Sequence, residues 1–254
     1  MAIIYGPVPS WRLGRSLGID LLSTKGNTCS FDCIYCQLGR TVHPVTERGE
    51  FVKLEEVIKE LERAKGVPAD FTTFSGVGEP TLASNLGEAI GTARSILGLP
   101  VAVLTNSSLM PEDEVRRELA LADMVVAKID APDEETFRAI NRPFGGYTIA
   151  EILRGIGRFR SEYKGKLALQ MMFIEANINC AGDMARIARE LEPDEVQINT
   201  PLRPCAVKPL PPLAISAIRE RFGGIKGVVT VYEATSPDVK PLSRNETLRR
   251  RPGI

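Results

Sequence analysis

The chain has 254 residues, 43% apolar and 25% charged, and its 32 basic and 32 acidic side chains cancel. That length can bury a large core as one or two domains, and the charge balance removes any global field toward nucleic acid or a membrane surface. No apolar run approaches the ~18–20 residues that span a bilayer, and residues 1–13 lack the apolar core of a signal peptide, so a cytoplasmic, reducing location is expected.

Residues 5–18 hold two prolines and three glycines, which exclude a regular helix. They also carry Trp11, the only tryptophan, with Arg12 and Arg15. This segment is expected to be an ordered lid or buttress, its arginines either binding an anionic substrate or clamping the fold. Residues 16–22 read as a short buried strand entering a cysteine-rich run. Leu54, Val57, Ile58 and Leu61 follow helical spacing over 53–64. Residues 71–75 are β-rich and end at Gly76 and Gly78; 86–96 is helical and 101–104 is the next strand. Pro111 with Glu112 and Asp113 opens a helix. Strands follow at 124–129, 167–174 and 195–199, with helices at 136–140, 148–159 and 183–191.

Strands alternating with helices imply a parallel sheet with crossover helices. Six such units are two short of a closed eight-unit barrel, and in α/β barrels the chemistry lies at the carboxyl ends of the strands. Residues 1–205 are expected to form this core. Residues 206–254 are read as an extension packed on the barrel, ending in a basic tail with Arg244, Arg249, Arg250 and Arg251. The tail could grip phosphates or be the solvated end of a helix.

Three of the five cysteines, Cys29, Cys33 and Cys36, fall within eight residues. Three thiolates on one loop suit a metal centre. A [4Fe–4S] cluster normally takes four cysteines, so three leave one iron open, and an open position distinguishes a catalytic metal centre from a closed structural one. Zinc is the alternative, but its usual second Cys-x₂-Cys knuckle is missing. The lone His43 reads as a polar contact near the loop. Cys180 and Cys205 read as buried free thiols, with a radical-relay or substrate role as the alternative.

The CxxxCxxC spacing, with Tyr35 before the last cysteine, resembles the radical S-adenosylmethionine (SAM) superfamily. Gly76-Val77-Gly78-Glu79-Pro80 is similar to that family's glycine–glutamate segment. The resemblance implies an open, six-stranded partial (β/α)6 barrel of TIM type. It also implies a [4Fe–4S] cluster on Cys29, Cys33 and Cys36, with SAM on the open iron. The reduced cluster would cleave SAM to a 5′-deoxyadenosyl radical that abstracts a substrate hydrogen. Tyr35 would lie near the adenine, and Gly78 and Glu79 would meet the methionine amino group, with a surface turn as the plainer reading of Glu79. Asn106 would contact ribose or carboxylate, or merely cap a turn. Lys128 would face the SAM carboxylate or an acidic substrate, or pair with Asp130; a Schiff base is possible in principle. Asn199, with Thr200 and Arg203, would contact ribose or substrate.

The N-terminal segment, the run after Cys36 and residues 129–143 resemble the subgroup similar to wyosine synthases, which modify tRNA. Those synthases carry further upstream cysteines, and none precedes Cys29 here. Four readings stay open: hydrogen abstraction from a small molecule, wyosine-type tRNA modification, activation of a glycyl-radical enzyme, and a non-catalytic metal module. The substrate is accordingly a small molecule, RNA or protein. The electron donor would be a flavodoxin or ferredoxin, and no membrane partner is expected.

Overall fold

The computed structural model describes residues 2–253. Eight strands form one curled, half-barrel sheet: β1 (Ile4–Ser10), β2 (Gly14–Ile19), β5 (Phe71–Phe74), β6 (Val101–Thr105), β7 (Met124–Lys128), β8 (Lys166–Met172), β9 (Glu195–Asn199) and β10 (Val228–Thr230), in that spatial order. All neighbours are parallel except β1, which runs antiparallel to β2. A separate parallel pair joins β3 (Asn27–Cys29) to β4 (Thr41–Pro44) beside the cysteine loop.

The outer face carries α1 (Leu54–Arg63), α2 (Leu86–Leu97), α3 (Asp113–Leu119), α4 (Glu134–Ile140), α5 (Ile149–Glu162), α6 (Ala181–Leu191) and α7 (Pro212–Arg221); α8 (Arg244–Arg250) closes on β1. Local chemistry sets several boundaries. Asp133 accepts from the Thr136 N–H at 2.8 Å to start α4. Thr148 and Glu151 form a reciprocal Thr-x-x-Glu pair at the start of α5, with Thr148 Oγ1 accepting from the Glu151 N–H at 3.3 Å. Gly98, at φ +65°, ends α2 in the left-handed region.

Alternate strand residues serve two cores, as a sheet buried on both faces requires. Val101, Val103, Val125, Leu167 and Leu169 join the large core beneath the helices. Ala102, Met124, Val126 and Ala168 point to the concave side with Leu13.

The six expected parallel strands are present, flanked by two more. Residues 5–18, expected as an ordered lid or buttress, form the β1–β2 hairpin. Prolines that forbid a helix are tolerated on an edge strand, where a missing N–H interrupts no ladder, and Pro7 and Pro9 lie on β1. The strand expected over 16–22 spans Gly14–Ile19. Helix α3 begins at Asp113, after Pro111, with Glu112 as its N-cap. The strand expected to reach residue 174 stops at Met172, followed by a 3₁₀ segment, Glu175–Cys180. Helix α7 and strand β10 had no counterpart in the sequence reading. Among the described residues, no helix is long and apolar enough to cross a membrane.

Candidate active site

Strand carboxyl ends and the cysteine loop enclose a cavity of about 210 Å³. Each of the nine residues singled out from sequence lines it: Cys29, Cys33, Tyr35, Cys36, Gly78, Glu79, Asn106, Lys128 and Asn199. The strand register produces this convergence. Lys128 pairs with Gln170 across β7 and β8, Gln170 with Gln197, and Met172 with Asn199 across β8 and β9.

Each of the three loop sulfurs faces an asparagine amide. Asn27 Nδ2 donates to Cys36 Sγ at 3.3 Å, Asn106 Nδ2 to Cys29 Sγ at 3.4 Å and Asn141 Nδ2 to Cys33 Sγ at 3.4 Å. Burial pushes the Cys33 thiol up to about 11, with the Lys128 ammonium pulling the other way. Burial raises the Cys29 thiol further, reinforced by Cys33 and Glu79. Amide donors and a buried cation are what such sulfurs need if they are to be held as thiolates on a metal. Three thiols on one loop, each met by an amide donor, are the sulfur chemistry an iron–sulfur cluster requires. The donor set therefore fits the implied cluster.

The glycine–glutamate segment is zipped to the strand that delivers Cys29. The Thr28 N–H donates to Val77 O at 2.7 Å, and the Glu79 N–H to Thr28 O at 3.2 Å. A Cβ on Gly78 would lie 1.6 Å from Thr28 O, so the approach requires glycine. Glu79 is 2% exposed, which excludes a surface turn. Its carboxylate accepts from the Thr81 N–H (3.0 Å), Thr81 Oγ1 (2.7 Å), Thr105 Oγ1 (2.7 Å) and the Asn106 N–H (2.5 Å). Burial raises its pKa while these donors pull it down. Glu79 thus ties the loop after β5 to the loop after β6. Asn106 caps its own turn, accepting from the Ser108 N–H at 2.9 Å, and also reaches the cysteine loop.

At the end of β7, Lys128 Nζ lies 3.8 Å from Asp130 Oδ2 and 4.4 Å from the Tyr35 ring centroid. Its pKa is raised: burial disfavours the ammonium, and Asp130 with the three cysteines more than offsets this. The Tyr35 hydroxyl donates to Asp130, which also accepts from Asn141 Nδ2 (2.9 Å) and the Met172 N–H (2.9 Å). The Tyr35 ring packs with Ile140, Met172 and Ile174, so its orientation is fixed by Asp130. Asn199 accepts from the Thr200 N–H at 2.9 Å.

Other candidates lie elsewhere. Arg15 pairs with Asp70 at 2.7 Å, outside the cavity. His43 contacts Lys25 O at 3.2 Å and is exposed. Cys180 is the residue before α6. Cys205 Sγ lies 3.2 Å from Val207 O and lines an outer groove shared with Cys33 and Cys36. Asn27 and Asn141 escaped the sequence reading; the available signal was position, Asn27 two residues before Cys29 and Asn141 inside the segment 129–143 already noted. Arg251 was read as tail, yet it lines the cavity.

The profile of the Radical SAM superfamily matches residues 23–188. The chain belongs to the radical SAM superfamily. It is also 40% identical over 208 residues to a UPF0026 protein of Synechocystis sp., covering 82% of this chain and 77% of that one. Two solved structures share the radical SAM fold. SuiB of Streptococcus suis bound to S-adenosylmethionine superposes with TM-score 0.63 at 14% identity, covering 81% of this chain and 48% of that one. TYW1 with a lysine–pyruvate adduct superposes with TM-score 0.62 at 17% identity, covering 82% and 72%.

Proposed function

We propose that this chain is a radical SAM enzyme whose cluster is held by Cys29, Cys33 and Cys36 and whose SAM occupies the adjoining cavity. One observation carries the reading: the three cysteine sulfurs, the Gly78–Glu79 turn and Lys128 line a single cavity. Bound together, a [4Fe–4S] cluster and SAM supply one-electron cleavage of the sulfonium and a 5′-deoxyadenosyl radical that takes a substrate hydrogen. The chain's own residues position and shield. Asn27, Asn106 and Asn141 donate to the sulfurs, Glu79 fixes the two loops that frame the cavity, and Lys128 offers a cation for a carboxylate. Leu104, Val126 and Met172 present apolar walls that exclude water. The electron would come from a flavodoxin- or ferredoxin-type donor.

The test is anaerobic reconstitution with iron and sulfide, then dithionite and SAM, assayed for 5′-deoxyadenosine. About four irons per chain and product from the native protein, with neither from Cys33→Ala, are expected. Zinc in place of iron, with no SAM binding, would overturn the reading and leave a structural metal module.

A second experiment addresses the asparagine donors. Hydrogen bonds to cluster sulfurs stabilise the reduced, more negative state. Asn27→Ala is therefore expected to keep its iron and to shift the cluster midpoint to a more negative potential, read by redox titration with electron paramagnetic resonance. An unchanged midpoint would mean that the Asn27 amide does not act on a ligated sulfur.

A further inference from the structure

A second cavity, of about 230 Å³, adjoins the first and shares Arg12, Gln37, Leu104, Asn199, Arg203 and Arg251 with it. Its three arginines come from distant parts of the chain. Arg12 lies in the turn between β1 and β2, Arg203 in the loop after β9, and Arg251 immediately after α8.

Among the described residues, no carboxylate lies within ion-pair distance of Arg12, Arg203 or Arg251, whereas Arg249 and Arg250 are paired with Glu246, and Arg250 also with Asp20. Arg12 Nε and Arg203 Nη1 are buried with no hydrogen-bond partner. Leaving buried guanidinium donors unmet is costly, and grouping like charges adds to the cost. The Arg12 and Arg203 guanidiniums are each pushed down to about 9, first by burial and then by the nearby Arg251 charge. A fold keeps such an arrangement when something else meets the charge.

We infer that Arg12, Arg203 and Arg251 form a phosphate-binding subsite that holds a phosphorylated small-molecule substrate beside the cysteine cavity. The inference deepens the radical SAM reading and rests on it for the occupant's being a substrate. Guanidiniums meet phosphate oxygens through paired N–H donors, and a dianion balances a three-arginine cluster better than a carboxylate does. A nucleic-acid backbone needs a charged stripe along its path. Here the neighbouring Arg249 and Arg250 are paired with Glu246 and Asp20, so they do not extend the three-arginine recess into such a stripe.

Trp11 provides the reporter, since Arg12 Cζ sits 5.2 Å from its ring centroid and no other tryptophan is present. The reconstituted protein is titrated with inorganic phosphate and pyrophosphate, against sodium chloride at matched ionic strength, following Trp11 emission and thermal unfolding. No reductant or SAM is present, so failure to bind anion and failure to form 5′-deoxyadenosine are separate results. Pyrophosphate is expected to change Trp11 emission saturably and to raise the melting temperature. Arg203→Gln and Arg251→Gln are each expected to weaken binding by about tenfold or more. Each is also expected to raise the melting temperature of the anion-free protein, because one member of a like-charge cluster is gone. A response no larger than that to chloride, or one undiminished in both variants, overturns the assignment. So does an equal response to methionine, which would make this the SAM carboxylate site. Tighter binding of single-stranded RNA than of pyrophosphate, with a steep salt dependence, overturns it in favour of a nucleic-acid surface.

Discussion

Gly78→Ala is expected to destabilise the protein by about 3–5 kcal/mol and to abolish cluster loading. The added methyl would meet Thr28 O at 1.6 Å, a backbone atom that no rotamer change can move aside. Relief requires separating the segment from β3, which breaks the bonds from the Thr28 N–H to Val77 O and from the Glu79 N–H to Thr28 O. Cys29 follows Thr28 directly, so the displacement reaches the first sulfur of the site. Glu79 would move as well, loosening its hold on Thr105 and Asn106. Chemical denaturation and iron content per chain measure the two effects. Gly91→Ala is the control: this residue lies inside α2 with nothing within 4 Å of an added Cβ, and alanine there is expected to stabilise by up to about 1 kcal/mol. Native stability and full iron loading in Gly78→Ala would refute the close-packing argument.

Arg250→Met is expected to cost about 3–5 kcal/mol, the range for breaking a buried ion pair by removing one partner. Arg250 is 1% exposed. Its Nε donates to Asp20 Oδ2 at 2.8 Å, Nη1 to Glu246 Oε2 at 2.8 Å and Nη2 to Ala2 O at 2.5 Å, and its guanidinium lies 5.2 Å from the Tyr5 ring centroid. The substitution leaves Asp20 buried without its counter-charge. Arg250→Lys is expected to recover only part of the loss, because an ammonium cannot direct donors to three separate acceptors in one plane. In a double-mutant cycle with Asp20→Asn, the combined loss is expected to be smaller than the sum of the single losses. Strict additivity would show that the pair does not act as a unit. The same geometry revises the reading of Arg250 as part of a basic tail. Neither a phosphate grip nor a solvated helix end accommodates Arg250, which fastens α8 to the start of the chain. Gly6 N–H donation to Thr247 Oγ1 at 3.1 Å and Leu242 N–H donation to Gly6 O at 2.6 Å complete that closure.

Much of the molecule was legible in the amino-acid sequence because the relevant signals are local. Six parallel strands and their helices announce themselves through short apolar runs, helical spacing and the glycines and prolines between them. The cysteine spacing and the glycine–glutamate run carry the resemblance to the radical SAM superfamily, to which the chain belongs. The strands that escaped notice lack a clear local pattern of their own. Strand β10 has three residues and is defined only by its ladder to β9. Strand β1 is masked by prolines that matter only if the outer side of the edge is known to be unpaired. Asn27, Asn106 and Asn141 are ordinary amides in sequence. Only the folded chain turns each toward a different sulfur, because a hydrogen bond between residues 27 and 36, or 33 and 141, depends on where loops return in space. The fate of the C-terminal arginines was likewise undecidable from order alone. A run of like charges has no inherent direction, and in the folded chain Arg250 turns inward to pair with the buried Asp20. Arg251 was left facing the cavity with Arg12 and Arg203, three charges that sequence separates and tertiary structure brings together.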